Sequence, residues 1–306
     1  MYDLAILGGG PAGVAAGVYA SRKRLKTVFI TESWGGQSID SMGIENWIGT
    51  VKIPGPELAE ALKKHLLTYA GDVVDVKEGE RVNKVGKNGE VFTIETSGGK
   101  YEAKAVLVAT GSSRRKLEIP GAVEFENKGI TYCASCDGPI FANQDVAVIG
   151  GGNAGFETAA QLLAYCKSVT LINRGPEFKA DPVTVERVLS NPKMKAIMNA
   201  LPVAVKGDKF VNTLVYEDAT TKEQREIPVT GIFVEIGLIP ATDFVKDLVK
   251  LNKYNQIPID PRTQQTEIPG LWAAGDCSDV LYHQNNIAAG DAVRALEDIY
   301  MHLHTK

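Results

Sequence analysis

Two cysteines separated by two residues are the feature of this 306-residue sequence with the clearest chemistry. Cys133 and Cys136 form a C-x-x-C pair, and Asp137 follows the second thiol directly. Thiols at this spacing can close a small disulfide ring, which is the form used in dithiol exchange. The pair therefore predicts a redox-active disulfide.

Two other interpretations of the C-x-x-C pair are half of a zinc site and an inert buried pair. A structural zinc site needs four ligands, and the rest of the sequence offers isolated Cys166 and Cys277, four histidines and no second C-x-x-C. The acid that follows Cys136 argues against an inert pair. Both alternatives stay open at this point, with dithiol exchange favoured and no metal site predicted.

A repeated glycine-rich pattern indicates two nucleotide-binding turns. Residues 3–13 read DLAILGGGPAG, and residues 145–155 read DVAVIGGGNAG. In each pattern the glycines follow an apolar run. A helix-compatible stretch comes next, Val14 to Ala20 or Phe156 to Leu163, and then a second apolar run. In this β-turn-α-β context, glycines make the turn tight and let backbone amides approach a pyrophosphate at the helix N-terminus.

The first turn is predicted to bind a dinucleotide whose ribose carries no 2′-phosphate. Its phosphate-binding residues are Gly8, Gly10, Pro11, Ala12 and Gly13. Glu32 ends the second apolar run, where a carboxylate hydrogen-bonds ribose hydroxyls and repels a 2′-phosphate. The first site therefore suits FAD or NAD.

The second turn has a different charge pattern after its second strand. Its turn residues are Gly150, Gly152, Asn153, Ala154 and Gly155. The strand ends in Asn173 rather than an acid, and Arg174 and Lys179 follow. A neutral amide with two cations is compatible with a 2′-phosphate and so with NADPH. The alternative is that Arg174 and Lys179 are solvated surface charges.

Composition and charge exclude several classes of protein. Hydrophobic residues make up 44% and charged residues 23%, as in ordinary folded proteins. A net charge of -4 without a basic stripe argues against nucleic-acid binding. No apolar run reaches the roughly 18 residues of a membrane helix, and no secretory signal is visible at the N-terminus. Four cysteines do not suit a disulfide-dense secreted scaffold, so we expect a cytoplasmic protein.

The segments outside the glycine motifs suggest how the chain is organised. Pro56 to Ala70 has a helical apolar face, Val73 to Thr96 suggests a small antiparallel sheet, and Ala105 to Ala109 is a buried strand. Polar or proline-containing breaks occur at 112–120 and 237–240.

These breaks predict an α/β protein with two Rossmann-like nucleotide-binding domains, the second inserted into the first. The FAD-binding domain comprises residues 1–115 and 245–306, and the NAD(P)H-binding domain with the C-x-x-C comprises 116–244.

Together these segments resemble the low-molecular-weight thioredoxin reductases. Within that family the chain is similar to the reductase part of the alkyl hydroperoxide reductase flavoprotein subunit. The resemblance spans residues 8 to 290. The segments that carry it are GGGPAG, Gly35-Gly36-Gln37, Glu45-Asn46-Trp47, Ala109-Thr110-Gly111, Tyr132-CASCDGP, GGGNAG and Ala273-Ala274-Gly275-Asp276.

The resemblance implies FAD at the first site and NAD(P)H at the second. Further flavin-site positions are implied at Gly36, Gln37, Asn46, Thr110, Gly111, Gly275, Asp276 and Gln284. It also implies that Cys136 faces the flavin, that Cys133 exchanges with the acceptor, and that Asp137 acts as acid and base. A homodimer is expected from the resemblance.

The sequence departs from the family at three positions. Gly175 stands where NADPH-dependent members have a second arginine, and Asn173 where the peroxide-linked relatives have an acid. His283 stands beside Gln284 where arginine is usual. The first two leave the choice of nicotinamide open.

The sequence thus predicts an FAD-dependent thioredoxin-disulfide reductase with NADPH preferred over NADH. Its partner is expected to be a thioredoxin-like or glutaredoxin-like disulfide protein, without nucleic acid or membrane. The alternatives are an NADH-dependent reductase of a peroxiredoxin system, a ferredoxin- or oxygen-linked dithiol flavoprotein, and a nucleotide-binding redox sensor without turnover.

Overall fold

The structure is a computed structural model that describes residues 1–41 and 43–305. Its chain divides into two compact units, which are Met1–Ser113 with Ile239–Lys306, and Arg114–Leu238. The second unit is therefore inserted into the sequence of the first. The predicted fold class, α/β with two Rossmann-like units, is confirmed by the parallel sheets described below.

The second unit ends at Leu238 rather than at the predicted residue 244. The segment after it belongs to the first unit because it bonds and packs there. Ala241 N donates to Gly111 O at 3.0 Å, and Val245 is fully buried in one core with Ile257. The break at 237–240 shows where the two units meet in the sequence, but it does not show that the residues after it belong to the first unit.

The strands, in chain order, are β1 (Tyr2–Gly9), β2 (Thr27–Trp34), β3 (Val74–Glu78), β4 (Val82–Asn88), β5 (Val91–Thr96), β6 (Lys100–Val108), β7 (Ser112–Arg114), β8 (Ile130–Thr131), β9 (Asp145–Ile149), β10 (Ser168–Ile172), β11 (Met194–Ile197), β12 (Ala200–Gly207), β13 (Val211–Asp218), β14 (Gln224–Pro228), β15 (Gly231–Val234), β16 (Leu238–Pro240) and β17 (Leu271–Ala273). The helices are α1 (Pro11–Arg22), α2 (Gly55–Ala70), α3 (Ala134–Asp137), α4 (Asn153–Leu162), α5 (Pro182–Leu189) and α6 (Asn285–Thr305). No helix within the described ranges combines the length and apolarity that crossing a bilayer requires.

The first unit is built on a sheet with the order β3-β2-β1-β6-β5-β4, and β17 also pairs with β6. The pairs among β3, β2, β1, β6 and β17 are parallel, whereas β4, β5 and the start of β6 are antiparallel. The predicted antiparallel sheet over Val73 to Thr96 is wrong for its first part. Val74–Glu78 joins the parallel sheet beside β2, because a short alternating run does not reveal its partner strand.

Both faces of this sheet are buried at its central parallel strands. In β1, Leu4 and Ile6 face a core shared with α1, α2 and α6, while Ala5 and Leu7 face a second core. Side chains of successive strand residues point to opposite faces, so a strand covered on both faces reads as one apolar run. This explains the apolar run from Leu4 to Leu7 in β1.

The second unit has a parallel sheet with the order β11-β10-β9-β15-β8. In β9, Val146 and Val148 share one core with Phe156 of α4, and Ala147 and Ile149 share the other. The second core includes the antiparallel sheet β12-β13-β14. Both units therefore place a glycine-rich turn at the carboxyl end of a buried parallel strand.

Candidate functional site

The first glycine-rich turn connects β1 to α1 and leaves no room for a Cβ at Gly8, Gly9 or Gly13. Gly8 has a φ of 120°, which favours glycine. A Cβ on Gly13 would lie 1.8 Å from the Gly8 carbonyl oxygen, so α1 starts directly against the strand end. Gly10 is the N-cap of α1 and Pro11 its first residue. Amides at such a helix N-terminus can bind a phosphate.

The loop after β2 meets this turn. Gly35 N donates to Gly9 O at 2.9 Å. A Cβ on Gly36 would lie 3.5 Å from the Gly10 Cα, so the two backbones run close together. The predicted residues Gly10 and Gly36 are thus brought side by side, although they are far apart in the sequence.

Asp276 gathers polar side chains from other segments of the first unit. Its Oδ2 accepts hydrogen bonds from Gln37 Nε2 at 3.2 Å and from Ser112 Oγ at 3.5 Å. His283 Nδ1 lies 3.3 Å from Oδ1 but does not make a hydrogen bond with it. Sequence analysis missed Ser112, because no motif marks a serine as the partner of a distant aspartate.

Asn46 and Gln284 are also brought together. Asn46 Nδ2 donates to Gln284 Oε1 at 3.1 Å. Asn286, at the start of α6, donates to Asn46 O at 2.7 Å and accepts from Ile48 N at 3.3 Å. The loop that carries Asn46 is thereby attached to the N-terminal end of α6.

Other predicted residues of the first site have different surroundings. Glu32 lies within β2, which continues to Trp34, and its exposed carboxylate is 4.0 Å from Arg81 Nε. Thr110 Oγ1 donates to Ala241 O at 2.7 Å, and Gly111 turns the chain with a φ of 65°. Thr110 and Gly111 therefore shape the segment after β6.

The residues of the first unit fit a dinucleotide. The first turn, the loop after β2, Thr110 and Asp276 all follow carboxyl ends of parallel strands, which is the edge where such sheets bind ligands. Gly275 has a φ of 73°, and a Cβ on it would lie 3.1 Å from Ala288 Cβ, so this glycine lets the chain pass close to α6. Gly13 packs α1 against the strand end, and Gly10, where a Cβ would meet only the Gly36 Cα at 3.9 Å, leaves room for backbone amides to approach a pyrophosphate.

The second glycine-rich turn repeats this geometry between β9 and α4. Gly150 has a φ of 129°, and a Cβ on Gly155 would lie 1.9 Å from the Gly150 carbonyl oxygen. Gly152 is the N-cap of α4. Asn153 Oδ1 accepts a hydrogen bond from Asp181 N at 2.8 Å, and Ala154 is exposed in the first turn.

Asn173 follows β10, and its amide group stabilises the neighbouring loop. It is buried, and its Nδ2 donates to the carbonyl oxygens of Gly175 and Glu177, both at 2.9 Å. Its Oδ1 lies 2.3 Å from where a Cβ of Gly151 would stand, so it packs on the turn. The side-chain carbonyl oxygen of Asn173 faces the turn, whereas its amide nitrogen already donates hydrogen bonds to the backbone of its own loop.

Arg174 and Lys179 border the same loop. Lys179 N donates to Gly151 O at 2.8 Å, which fixes this residue beside the turn. Both cationic side chains are exposed, as is Glu177 between them. The loop therefore presents two cations next to the second glycine-rich turn.

Cys133 and Cys136 are joined by a disulfide at the start of α3, with their Cα atoms 5.3 Å apart. Cys133 is the N-cap residue, and its Sγ accepts a hydrogen bond from Cys136 N at 3.2 Å. A backbone donor at a sulfur stabilises the thiolate form. After reduction, Cys133 is therefore the sulfur better suited to attack another disulfide.

Asp137 is held beside the disulfide by Thr131. Thr131 Oγ1 donates to Asp137 Oδ2 and accepts from Cys133 N. Burial raises the pKa of Asp137, and the Thr131 hydrogen bond opposes this rise. An acid with a raised pKa keeps its proton closer to neutral pH, where it can donate it to a thiolate. Sequence analysis missed Thr131, since nothing in the sequence pairs this strand residue with Asp137.

We expect Asp137→Asn to remove a pH-dependent contribution to stability. Because the pKa of Asp137 is raised in the folded protein, its contribution is present below the unfolded value of about 3.9 and is lost as pH rises through the folded value. The difference in unfolding free energy between wild type and variant should therefore fall as pH rises from 4. Denaturant unfolding of both oxidised proteins at several pH values measures it, and parallel curves would contradict the expectation.

The remaining cysteines are not part of the disulfide. Cys166 and Cys277 are buried free thiols, and burial raises the pKa of each to about 11. Within residues 1–41 and 43–305, no group of three or more His, Cys, Asp or Glu side chains is arranged to hold a metal ion.

Comparison with known proteins gives matches along almost the whole chain. Residues 2–295 match the family model described as pyridine nucleotide-disulphide oxidoreductase. The crystal structure of thioredoxin reductase from Streptococcus pyogenes superimposes with a TM-score of 0.90 and 33% identity, covering 100% of this chain and 99% of that one.

Two curated proteins of similar sequence are longer than this chain. The NADH dehydrogenase of Bacillus subtilis is 39% identical over 96% of this chain, and the F subunit of alkyl hydroperoxide reductase from Pseudomonas aeruginosa is 40% identical over 99%. The chain spans 57% and 58% of their respective lengths.

Proposed function

The chain belongs to the pyridine nucleotide-disulphide oxidoreductase family, and on this premise we propose that it is an FAD-dependent thioredoxin-disulfide reductase. Electrons pass from NAD(P)H through FAD and the Cys133–Cys136 disulfide to a disulfide of a thioredoxin-like or glutaredoxin-like protein. The observation that carries the proposal is the disulfide at the N-cap of α3, in the same compact unit as the second glycine-rich turn. Similarity to the S. pyogenes thioredoxin reductase supports it.

FAD is proposed to bind in the first unit. When bound, it supplies the chemistry that accepts electrons from a nicotinamide and passes them to a disulfide. Gly8, Gly10 and Gly13 would hold the pyrophosphate, and Glu32 a ribose. The remaining proposed FAD contacts are Pro11, Ala12, Gly36, Gln37, Asn46, Thr110, Gly111, Gly275, Asp276 and Gln284.

The nicotinamide nucleotide is proposed to bind in the second unit. The amides of the turn from Gly150 to Gly155, with Asn153 and Ala154 in the first turn of α4, would hold its pyrophosphate. Arg174 and Lys179 would contact the adenosine ribose and its 2′-phosphate. No acid stands at Asn173 to repel that phosphate, so NADPH is proposed over NADH.

The dithiol transfers its electrons by two exchange steps. The Cys133 thiolate attacks one sulfur of the acceptor disulfide, and the other acceptor sulfur leaves as a thiolate. Cys136, once deprotonated, attacks Cys133 Sγ, which re-forms the ring disulfide and releases the second acceptor sulfur. The acceptor gains two electrons and two protons, and Asp137 would exchange protons beside Cys136.

A direct experiment tests the whole proposal. The FAD-loaded protein is titrated anaerobically with NADPH and with NADH, and turnover is then measured with an oxidised thioredoxin-like protein. We expect the flavin absorbance to bleach and the acceptor to be reduced. Bleaching without reduction of any disulfide protein would disprove the reductase function, and turnover would exclude a sensor without activity.

The preference for NADPH is expected to be modest. A charged hydrogen bond to a phosphate contributes roughly 1.5–3 kcal/mol, or about ten- to a hundred-fold in affinity. Arg174→Ala should erase the preference by lowering kcat/KM for NADPH, while it changes NADH turnover little. Gly175→Arg should lower KM for NADPH.

Steady-state kinetics with both nucleotides checks this preference in wild type and both variants. Wild-type turnover of NADH at least tenfold more efficient than that of NADPH would show the cofactor assignment to be wrong.

An NADH-dependent reductase of a peroxiredoxin system is the second candidate function. It is favoured by the 40% identity to the F subunit of alkyl hydroperoxide reductase and by the name of the B. subtilis relative, NADH dehydrogenase. Preferential reduction of the flavin by NADH, with faster transfer to a peroxiredoxin-system protein than to thioredoxin, would select it. Bleaching by neither nucleotide would point to a ferredoxin- or oxygen-linked dithiol flavoprotein instead.

Neither free cysteine is expected to relay electrons. Cys166 Sγ bonds only weakly to Phe141 O at 3.4 Å, and Cys277 is fully buried, so each behaves as a small apolar residue. Replacing both by alanine should spare turnover with a thioredoxin-like acceptor. Loss of transfer with intact flavin reduction would show that one of them takes part.

The cytoplasmic setting of the proposal follows from the cysteine usage of the chain, and the homodimer follows from the family resemblance. We propose a cytoplasmic homodimer whose partner is a small disulfide protein. Sedimentation of the FAD-loaded chain tests the dimer.

A further inference from the structure

Glu235 is a nearly buried carboxylate that the proposed function does not use. Its side chain is 8% exposed. Its Oε1 accepts from Thr158 Oγ1 at 2.8 Å, and its Oε2 accepts from Arg114 Nη1 at 3.3 Å. Burial raises the pKa of Glu235, and the Arg114 cation opposes this rise. Sequence analysis missed this residue, because an acid after an apolar strand carries no motif.

The ion pair of Glu235 with Arg114 is by itself weak evidence that Glu235 serves stability. Replacing a buried ion pair by apolar residues of similar size often leaves a protein as stable or more stable. A carboxylate offers about four acceptor positions, and Thr158 and Arg114 use one on each oxygen of Glu235. It can therefore accept further hydrogen bonds from a ligand.

The position of Glu235 is that of a ligand-binding residue. In the sheet order β11-β10-β9-β15-β8, the chain passes from β9 to β10 on one side, and β15 lies on the other. Ligands of such sheets bind outside the carboxyl ends where the order reverses. Glu235 follows β15 there, and its carbonyl oxygen lies 2.1 Å from where a Cβ of Gly150 would stand.

We propose that Glu235 binds the nicotinamide half of the dinucleotide, by accepting hydrogen bonds from its ribose hydroxyls or its carboxamide NH₂. This inference rests on the proposed binding of a nicotinamide nucleotide to the second unit. Arg174 and Lys179 follow β10 and would contact the adenosine half of the dinucleotide. The nicotinamide half would then extend over the carboxyl end of β15. A pyrophosphate has acceptors only, whereas the second ribose and the carboxamide have the donors that a carboxylate requires.

Binding of dinucleotides and of their adenosine halves to the FAD-loaded full chain tests this assignment. The probes are NADP⁺ and NAD⁺, with 2′,5′-ADP and ADP as the matching halves, and calorimetry gives each dissociation constant. The oxidised dinucleotides leave the flavin unreduced. Glu235→Gln keeps the shape of the side chain and removes its charge.

We expect Glu235→Gln to weaken the dinucleotide on the order of tenfold and the adenosine half less than twofold. Arg174→Ala is the matched variant for the other half, and it should weaken NADP⁺ and 2′,5′-ADP by the same factor. Flavin content and the thermal unfolding midpoint verify folding. If the glutamine variant does not fold, Glu235→Asp, which retracts the carboxylate and keeps its charge, should show the same selective loss.

Other outcomes would overturn the inference. Unchanged dinucleotide affinity, or equal weakening of dinucleotide and adenosine half, would mean that Glu235 does not contact the nicotinamide half, while the proposed function would stand. Failure of all four probes to bind the wild type would overturn the inference and the nucleotide part of the proposed function together.

Discussion

Cys136→Ser is expected to trap the acceptor protein on Cys133 as a stable mixed disulfide, and Cys133→Ser is not. Cys133 Sγ accepts the Cys136 backbone N–H, which favours its thiolate as the attacking group. Without the Cys136 thiol, no second sulfur is available to release the bound acceptor. Reduction of protein disulfides should fall by several orders of magnitude in both variants.

Non-reducing electrophoresis and mass spectrometry of the reduced variants mixed with an oxidised thioredoxin-like protein give the measurement. Bleaching of the flavin by NADPH serves as the control, because neither substitution touches a glycine-rich turn. A mixed disulfide formed in the Cys133→Ser protein instead would reverse the assignment of the two thiols.

Gly155→Ala is expected to abolish detectable binding of nicotinamide nucleotides while FAD stays bound, and Gly13→Ala is expected to cause loss of FAD. Each added Cβ would stand within 2 Å of a backbone carbonyl oxygen, 1.9 Å from that of Gly150 or 1.8 Å from that of Gly8. A backbone atom cannot move aside as a flexible side chain can, so the turn itself must open. The amides that face a pyrophosphate would then lose their arrangement.

Flavin content after purification and calorimetric titration with NADP⁺ measure the two effects separately. Gly290→Ala makes the same chemical change within α6, where a Cβ would meet no atom within 4 Å. It should raise stability slightly through helix propensity. Loss of FAD from Gly155→Ala, with nucleotide binding intact, would contradict the division of roles between the turns.

Local patterns predict much of the fold because they depend on near neighbours in the chain. The apolar runs of β1 and β9 and the glycines after them define the two turns, and the structure forms strand, turn and helix at both. Val74–Glu78 shows what local patterns cannot predict, which is the partner of a strand. Its alternation indicates a strand, but its parallel pairing with β2 depends on α2 returning the chain to that edge.

The candidate site is less predictable, because its polar contacts join residues that are distant in sequence. The resemblance names Asp276, yet the hydrogen bond from Ser112 to it spans 164 positions. Asn173 follows β10 as predicted, but its amide bonds to the backbone of its own loop. The ion pair of Glu235 with Arg114 joins two segments that no periodicity connects.

The insertion of the second unit into the first determines the order in which the parts are completed during synthesis. Residues 114–238 form one continuous stretch, so this unit is complete once Leu238 has left the ribosome. The first unit must wait for β17 and α6, since Val14 and Leu58 share a core with Leu296. Asp276 and Gln284 emerge in this last segment. The nascent chain thus completes its dithiol-bearing unit before it can form the full proposed FAD site, and loading of the proposed flavin would be a late step of its biogenesis.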